Sequence, residues 1–136
     1  MLKPNSYLIA VDFDGTIVED AYPKIGKARA FAFETLKTLQ KDGHRLVLWT
    51  YRKGERLEAA VAFCRENGLE FYAVNNSFPE EDFDTGHSRK INADIFIDDR
   101  NIGGLPGWGE IYHIITNNPL PHQTPRKKSF WSRFKP

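Results

Sequence analysis

Residues 11 to 17 read VDFDGTI, in which Asp12 and Asp14 stand one residue apart and are followed at once by Gly15 and Thr16. The pair comes straight after the apolar run YLIAV, a second acidic pair, Asp98 and Asp99, closes the run IFIDD, and Thr50 closes RLVLWT. All five residues fall at the carboxyl ends of expected strands or one to two residues beyond. In an open parallel sheet those ends share one edge, the edge where ligands bind. A single Asp in such a place is ordinary turn or cap chemistry. Four carboxylates, Thr50 and Lys90 on one rim are a different matter, because clustered negative charge raises carboxyl pKa values and destabilises a fold unless a cation is bound. A hard, oxygen-seeking ion such as Mg²⁺ is the natural partner.

The elements that must position these side chains are short apolar runs alternating with helical patterns, the signature of parallel sheet units. Residues 7–11 are apolar throughout, as a strand covered on both faces should be. Residues 45–50, 71–74, 94–98 and 110–115 give four further strands. Residues 27–41 place Ala28, Phe31, Ala32, Thr35, Leu36 and Leu39 on one helical face, with Gly43 suited to closing the helix. Residues 55–67 repeat the spacing through Leu57, Ala60, Val61 and Cys64, and Gly68 closes them. The polar stretch 75–89 reads as a loop. The expectation is an α/β fold: a single Rossmann-like domain with a mainly parallel five-stranded sheet and helices on both faces.

At 136 residues, 40% of them hydrophobic, the chain has room for one ordinary domain and a real core. The net charge of +1 hides an asymmetry: residues 1–116 carry 14 basic against 18 acidic side chains, and residues 117–136 carry 5 against none. The expected division is a catalytic domain over 1–116 and a basic, proline-containing tail over 117–136. No apolar run approaches the roughly 18 residues of a membrane span. The start of the chain lacks the unbroken apolar stretch of a signal peptide, so the expected location is cytoplasmic. The single cysteine, Cys64, falls on the apolar side of a helix and fits a reduced compartment better than a catalytic thiol.

In order, DFDGTI, LWTYR, the lysine of SRKINAD and IFIDDR resemble the four motifs of the haloacid dehalogenase superfamily of phosphohydrolases, and together they span residues 7 to about 100. The resemblance implies that Asp12 is a nucleophile forming an aspartyl phosphate and that Asp14 protonates the leaving oxygen and then takes a proton from water. It implies that Thr50 hydrogen-bonds a phosphoryl oxygen and that Lys90 neutralises the phosphoryl group. Asp98 and Asp99 would hold Mg²⁺ together with Asp12 and the backbone carbonyl of Asp14, Asp99 being the more direct ligand. Gly15 and Thr16 would lie against the substrate. A turn at Gly15 would aim the two carboxylates at opposite sides of one phosphorus, and their mutual repulsion would keep one protonated while the other is ionised.

Lys90 departs from the pattern. It lies eight residues before Asp98, which leaves no room for a helix between the third and fourth motifs, so it must reach the site from a loop. Neither gap that could carry a cap domain is long enough for one, which resembles the capless members. Residues 17–27 and 75–89 are the candidate covers. Arg52, Lys53 and Arg100 could meet an anionic group beyond the phosphate, and His87 is a solvated loop histidine or a neighbour of the leaving group. The tail groups Arg126, Lys127, Lys128, Arg133 and Lys135 around Phe130, Trp131 and Phe134, a mixture suited to an anionic membrane surface, a nucleic acid strand, an acidic neighbouring subunit in a homo-oligomer, or plain solubilisation. The leading expectation is a Mg²⁺-dependent phosphomonoester hydrolase acting on a small phosphorylated molecule. Nucleic-acid end processing is the alternative. A receiver-like signalling module fits less well, since it needs its acceptor Asp on the third strand, which ends AVNN, and its Lys after the other acidic residues.

Overall fold

The computed structural model describes residues 6–81 and 88–117. His87 and the tail beyond Asn117 lie outside them. The chain runs β1 (Leu8–Val11), α1 (Ala32–Lys41), β2 (Arg45–Leu48), α2 (Gly54–Glu66), β3 (Ala73–Val74), β4 (Ile95–Ile97) and α3 (Trp108–Asn117). Every strand pairing is parallel, and the order across the sheet is β3-β2-β1-β4. Among the described residues there is no cap domain.

Helix ends form where glycine allows a left-handed residue. At the end of α1 His44 N–H donates to the Leu39 carbonyl and Gly43 N–H to that of Gln40; at the end of α2 Leu69 N–H donates to Cys64 and Gly68 N–H to Arg65. Both pairs occupy carbonyls that a helix terminus otherwise leaves open, and both turn the chain back toward a strand.

The three helices lie on one face of the sheet. Ile9, Val11, Leu46, Leu48 and Ile97 meet Leu36 and Leu39 of α1, Cys64 of α2, and Trp108, Ile111 and Ile115 of α3 in one core. The opposite face, made by Leu8, Ala10, Val47 and Ala73, packs with Ile91, Ala93, Trp49 and Phe96. The expected helices on both faces are therefore corrected to helices on one, and the handedness of crossovers explains it. Steps from β1 to β2 to β3 move in one direction and put α1 and α2 on one side, whereas the step from β3 back past β1 to β4 must cross on the other. That return is made by residues 75–94, which carry no helix among the described residues.

The expected fifth strand is also corrected. Residues 110–115 belong to α3, and among the described residues the sheet has four strands. The run EIYHII is rich in residues that favour strands, but such propensity yields to packing. Trp108, Ile111, Tyr112 and Ile115 recur at helical spacing, and Trp108, Ile111 and Ile115 are buried. Helix α1 starts five residues later than expected, because the chain before it is used elsewhere. Val18 bridges Asp14 on one side and Ala28 on the other. Glu19 N–H donates to the Lys27 carbonyl and Arg29 N–H to that of Ile17, so residues 17–29 form a flap folded back on itself.

Trp108 does more than fill the core: its indole N–H donates at 3.1 Å to the buried carbonyl of Thr16, tying α3 to the loop after β1. Trp108→Phe retains most of the apolar contact but strands that carbonyl. It should lower stability by about 1–3 kcal/mol, seen as a lower urea midpoint, and an unchanged midpoint would show that the bond contributes nothing.

Candidate active site

Strand order reverses between β1 and β4, which makes their carboxyl ends the place where a parallel sheet opens a crevice. Asp12 N–H still donates to the Ile97 carbonyl at 3.0 Å, so Asp12 leaves β1 in register with the start of Asp98-Asp99. One carboxylate oxygen from each of Asp12, Asp98 and Asp99 lies within 4.8 Å of the others. The Thr16 hydroxyl sits between two of them, 3.0 Å from Asp12 Oδ2 and 3.3 Å from Asp99 Oδ1, with one proton to give, and it accepts the Asp99 N–H at 3.0 Å. Thr16 is fully buried, so the expectation that it touches substrate is corrected: it ties two acidic side chains to each other. Gly15 has the same kind of role. Its φ is +85°, and a Cβ there would fall 2.3 Å from Asp99 Oδ2, so the third carboxylate approaches only because no side chain is present.

Burial pushes the Asp12 pKa from 3.8 up to about 7, and its hydrogen bond with Asp99 and the negative charge of Asp98 add to the rise; the Thr16 hydroxyl and the Phe13 backbone N–H act in the opposite sense. An oxygen-only donor set of this charge fits a hard divalent cation held by Asp12, Asp98 and Asp99.

Asp14 stands apart from the cluster, which revises the expected contest between Asp12 and Asp14. Arg52 takes both of its oxygens, Nε to Oδ2 and Nη2 to Oδ1, each at 2.8 Å. The remaining donors of the guanidinium reach the carbonyls of Pro23 (3.2 Å), Arg56 (3.3 Å) and Lys24 (2.9 Å). A guanidinium has five N–H donors, and all five are used. Arg52 is 2% exposed, with the rings of Phe13 and Tyr22 each 5.2 Å from its central carbon. Its pKa is raised, chiefly by the hydrogen bond to Asp14. The expectation that Arg52 meets the substrate is corrected, since it has no donor to offer.

A cleft of about 670 Å³ opens at this edge, and Asp12, Asp14, Thr50, Asp98 and Arg100 from the expected set line it. Thr50 is held by its own N–H, donated at 2.8 Å to Asn75 Oδ1, while its hydroxyl accepts the Arg52 N–H at 3.2 Å. The Arg100 backbone N–H donates to Asp98 Oδ1 at 2.8 Å, and its side chain is exposed. Lys53 is exposed just before α2. Lys90 is exposed, and its ammonium lies 5.8 Å from the centre of the Phe96 ring rather than among the carboxylates. Phe96 precedes Asp98 by two residues, the strand repeat that returns to the same face. Cys64 is buried in the core and its thiol is pushed up to about 12 by burial alone, which removes it from chemistry. Asp20, Tyr22, Trp49 and Tyr51 also line the cleft. The signals for them in the sequence are the pair of aromatics flanking Thr50 in WTYR and, for Asp20 and Tyr22, their place in the candidate cover 17–27.

No family model matches the chain, and no curated protein matches it. A solved structure of a conserved protein from Bacteroides thetaiotaomicron is 53% identical, with a TM-score of 0.80, over 90% of this chain and 99% of that one.

Two measurements follow from this geometry. A carboxyl whose folded pKa is raised gives stability below its unfolded value, 3.8, that is lost as pH climbs through about 7. A cation among the carboxylates offsets that loss, so Mg²⁺ should raise the melting temperature more at pH 8 than at pH 5, the difference vanishing in Asp12→Asn; equal shifts at both pH values would place the ion elsewhere. Arg52→Met leaves Asp14 without its partner and should cost about 3–5 kcal/mol. Urea unfolding with an unaltered midpoint would show that the clamp does not hold the fold.

Proposed function

The chain belongs to the family of that conserved Bacteroides thetaiotaomicron protein, and from the geometry of its rim we propose that it is a Mg²⁺-dependent phosphomonoester hydrolase of the haloacid dehalogenase type, capless and working through an aspartyl phosphate. The observation that carries this reading is the separation of two neighbouring carboxylates into two environments. Asp12 shares the acidic cluster with Asp98 and Asp99, while Asp14 is held apart by Arg52. Environments that differ in this way assign different roles to chemically identical groups, and a cation bound among Asp12, Asp98 and Asp99 would offset the burial and negative charge that push the Asp12 carboxyl up, leaving it ionised for attack.

In the first step an Asp12 carboxylate oxygen attacks phosphorus as the bond to the leaving oxygen breaks, and Asp14 gives that oxygen a proton. In the second, water attacks the phosphorus of the aspartyl phosphate and Asp14 takes a proton back, which releases inorganic phosphate and restores the Asp12 carboxylate. The Arg52 pair fixes the plane of the Asp14 carboxylate yet uses one lone pair of each oxygen, which leaves others for the proton. Asp12, Asp98 and Asp99 would hold the cation, which would supply charge compensation for the phosphoryl oxygens. Thr50 orients the phosphoryl group from the end of β2. Lys90 adds positive charge once its side chain swings from Phe96 toward the rim.

Hydrolysis of phenyl phosphate should need Mg²⁺ and cease after exhaustive chelation. Asp12→Asn should abolish turnover while the circular dichroism spectrum stays that of the wild type, since an amide is a poor nucleophile. A near-normal rate after chelation would refute the dependence on Mg²⁺, and a near-normal rate in Asp12→Asn would refute the aspartyl-phosphate route.

A further inference from the structure

Resting on that reading of Asp14, we infer that the cleft selects phosphomonoesters whose leaving group carries a planar ring, and that Tyr51 is the specificity-determining residue against which the ring stacks. The leaving oxygen must come to the carboxyl that protonates it. Asp14 is bound at 2.8 Å to Arg52, and the Arg52 guanidinium in turn lies 5.2 Å from the centre of the Tyr22 ring. The acid side of the site is therefore its aromatic side. Tyr22 and Tyr51 meet edge to face with centres 6.2 Å apart, and both line the cleft, with Trp49 on the same lining.

The two tyrosines differ in freedom. Tyr22 is fixed by the body of the protein: guanidiniums of Arg52 and Arg56 lie at 5.2 and 5.4 Å from its ring centre, and its hydroxyl accepts from Arg56 Nη1 at 3.0 Å. Arg52 also holds the backbone that follows Tyr22 through the carbonyls of Pro23 and Lys24. The flap is thus a standing wall. Tyr51, by contrast, is 89% exposed, and its chain neighbours Thr50 and Arg52 are both anchored. A ring presented so fully to solvent at the mouth of a polar cleft offers a π face that the fold leaves unused. The cleft, at about 670 Å³, is of the size that takes a ligand of drug or mononucleotide dimensions. Aryl and nucleoside monophosphates share the required chemistry.

The experiment compares phenyl phosphate and adenosine 5′-monophosphate with glycerol 1-phosphate under Mg²⁺. The wild type should favour the two ring-bearing esters in kcat/KM, and Tyr51→Ala should reduce that preference roughly two- to tenfold, the worth of one aromatic stacking contact. Tyr51→Phe, which retains the ring, should preserve it. Adenosine monophosphate losing its preference while phenyl phosphate does not would restrict the class to nucleotides, and the converse to aryl esters. A preference unaltered by Tyr51→Ala, or absent from the wild type, overturns the inference. Calorimetric titration with benzyl phosphonate against propyl phosphonate, neither of which can be hydrolysed, decides the stacking without turnover: tighter binding of the benzyl compound, lost in Tyr51→Ala, supports it, and equal affinities overturn it. If no ester is hydrolysed at all, the phosphohydrolase reading fails by itself and the titration still answers for Tyr51.

Discussion

Mutual repulsion among Asp12, Asp98 and Asp99 is the constraint around which the carboxyl edge is built. Three groups of one sign gather where β1 and β4 end, and several neighbours hold them there. Gly15 contributes an absent side chain, without which Asp99 could not approach. Thr16 contributes a hydroxyl shared between two of the acids, and Trp108 holds the Thr16 carbonyl from the far side of the core. The same constraint accounts for the placing of Asp14. A fourth carboxylate in the cluster would add to the repulsion, and the buried Arg52 draws it to a separate station.

Burying an arginine is costly unless its donors are met and a charge of opposite sign lies against it. Arg52 satisfies both conditions. In doing so it joins three parts of the chain that are distant in sequence: the loop after β1, the flap at residues 23–24, and the first turn of α2 at Arg56. The flap is stitched to itself by its own bridges and to the body by this side chain, by Arg56 at the Tyr22 hydroxyl and by Arg29 at the Gly15 carbonyl. A small domain with no cap among its described residues can shape a cleft in this way, with one buried cation in place of an added domain.

Much of the frame is legible in the sequence because it rests on short-range patterns. The four strands lie where apolar runs of four to six residues predict them, and Gly43 and Gly68 mark both helix ends. The acidic residues at strand ends converge as the parallel-sheet rule requires. Residues 110–115 mislead because six residues rich in strand formers are too few to separate strand from helix by periodicity; Trp108 must be included before its helical spacing with Ile111, Tyr112 and Ile115 shows. The start of α1 misleads because Ala28 and Arg29 are taken by the flap, a tertiary demand that no local preference records. Arg52 is the deepest case. In TYRKG it looks like any solvated strand-end charge, and its burial depends on Asp14, Pro23 and Lys24, all contributed from elsewhere in the chain.

The sheet order also has a kinetic meaning. Strands β1, β2 and β3 with the two intervening helices make a run of successive local units, whereas β4 must return past all of them to lie beside β1. The backbone N–H of Leu8 donates to the side chain of Asp94, 86 residues away in the chain, where that return ends. Closing a loop of that length brings its entropic cost before its contacts give any return, so such pairings form late. The acidic rim therefore comes into being only with the last strand, and its repulsion opposes the docking of β4 rather than the earlier units. A ligand of opposite charge that binds only the completed rim acts mainly as a brake on the departure of β4, lengthening the life of the folded state more than it hastens its formation.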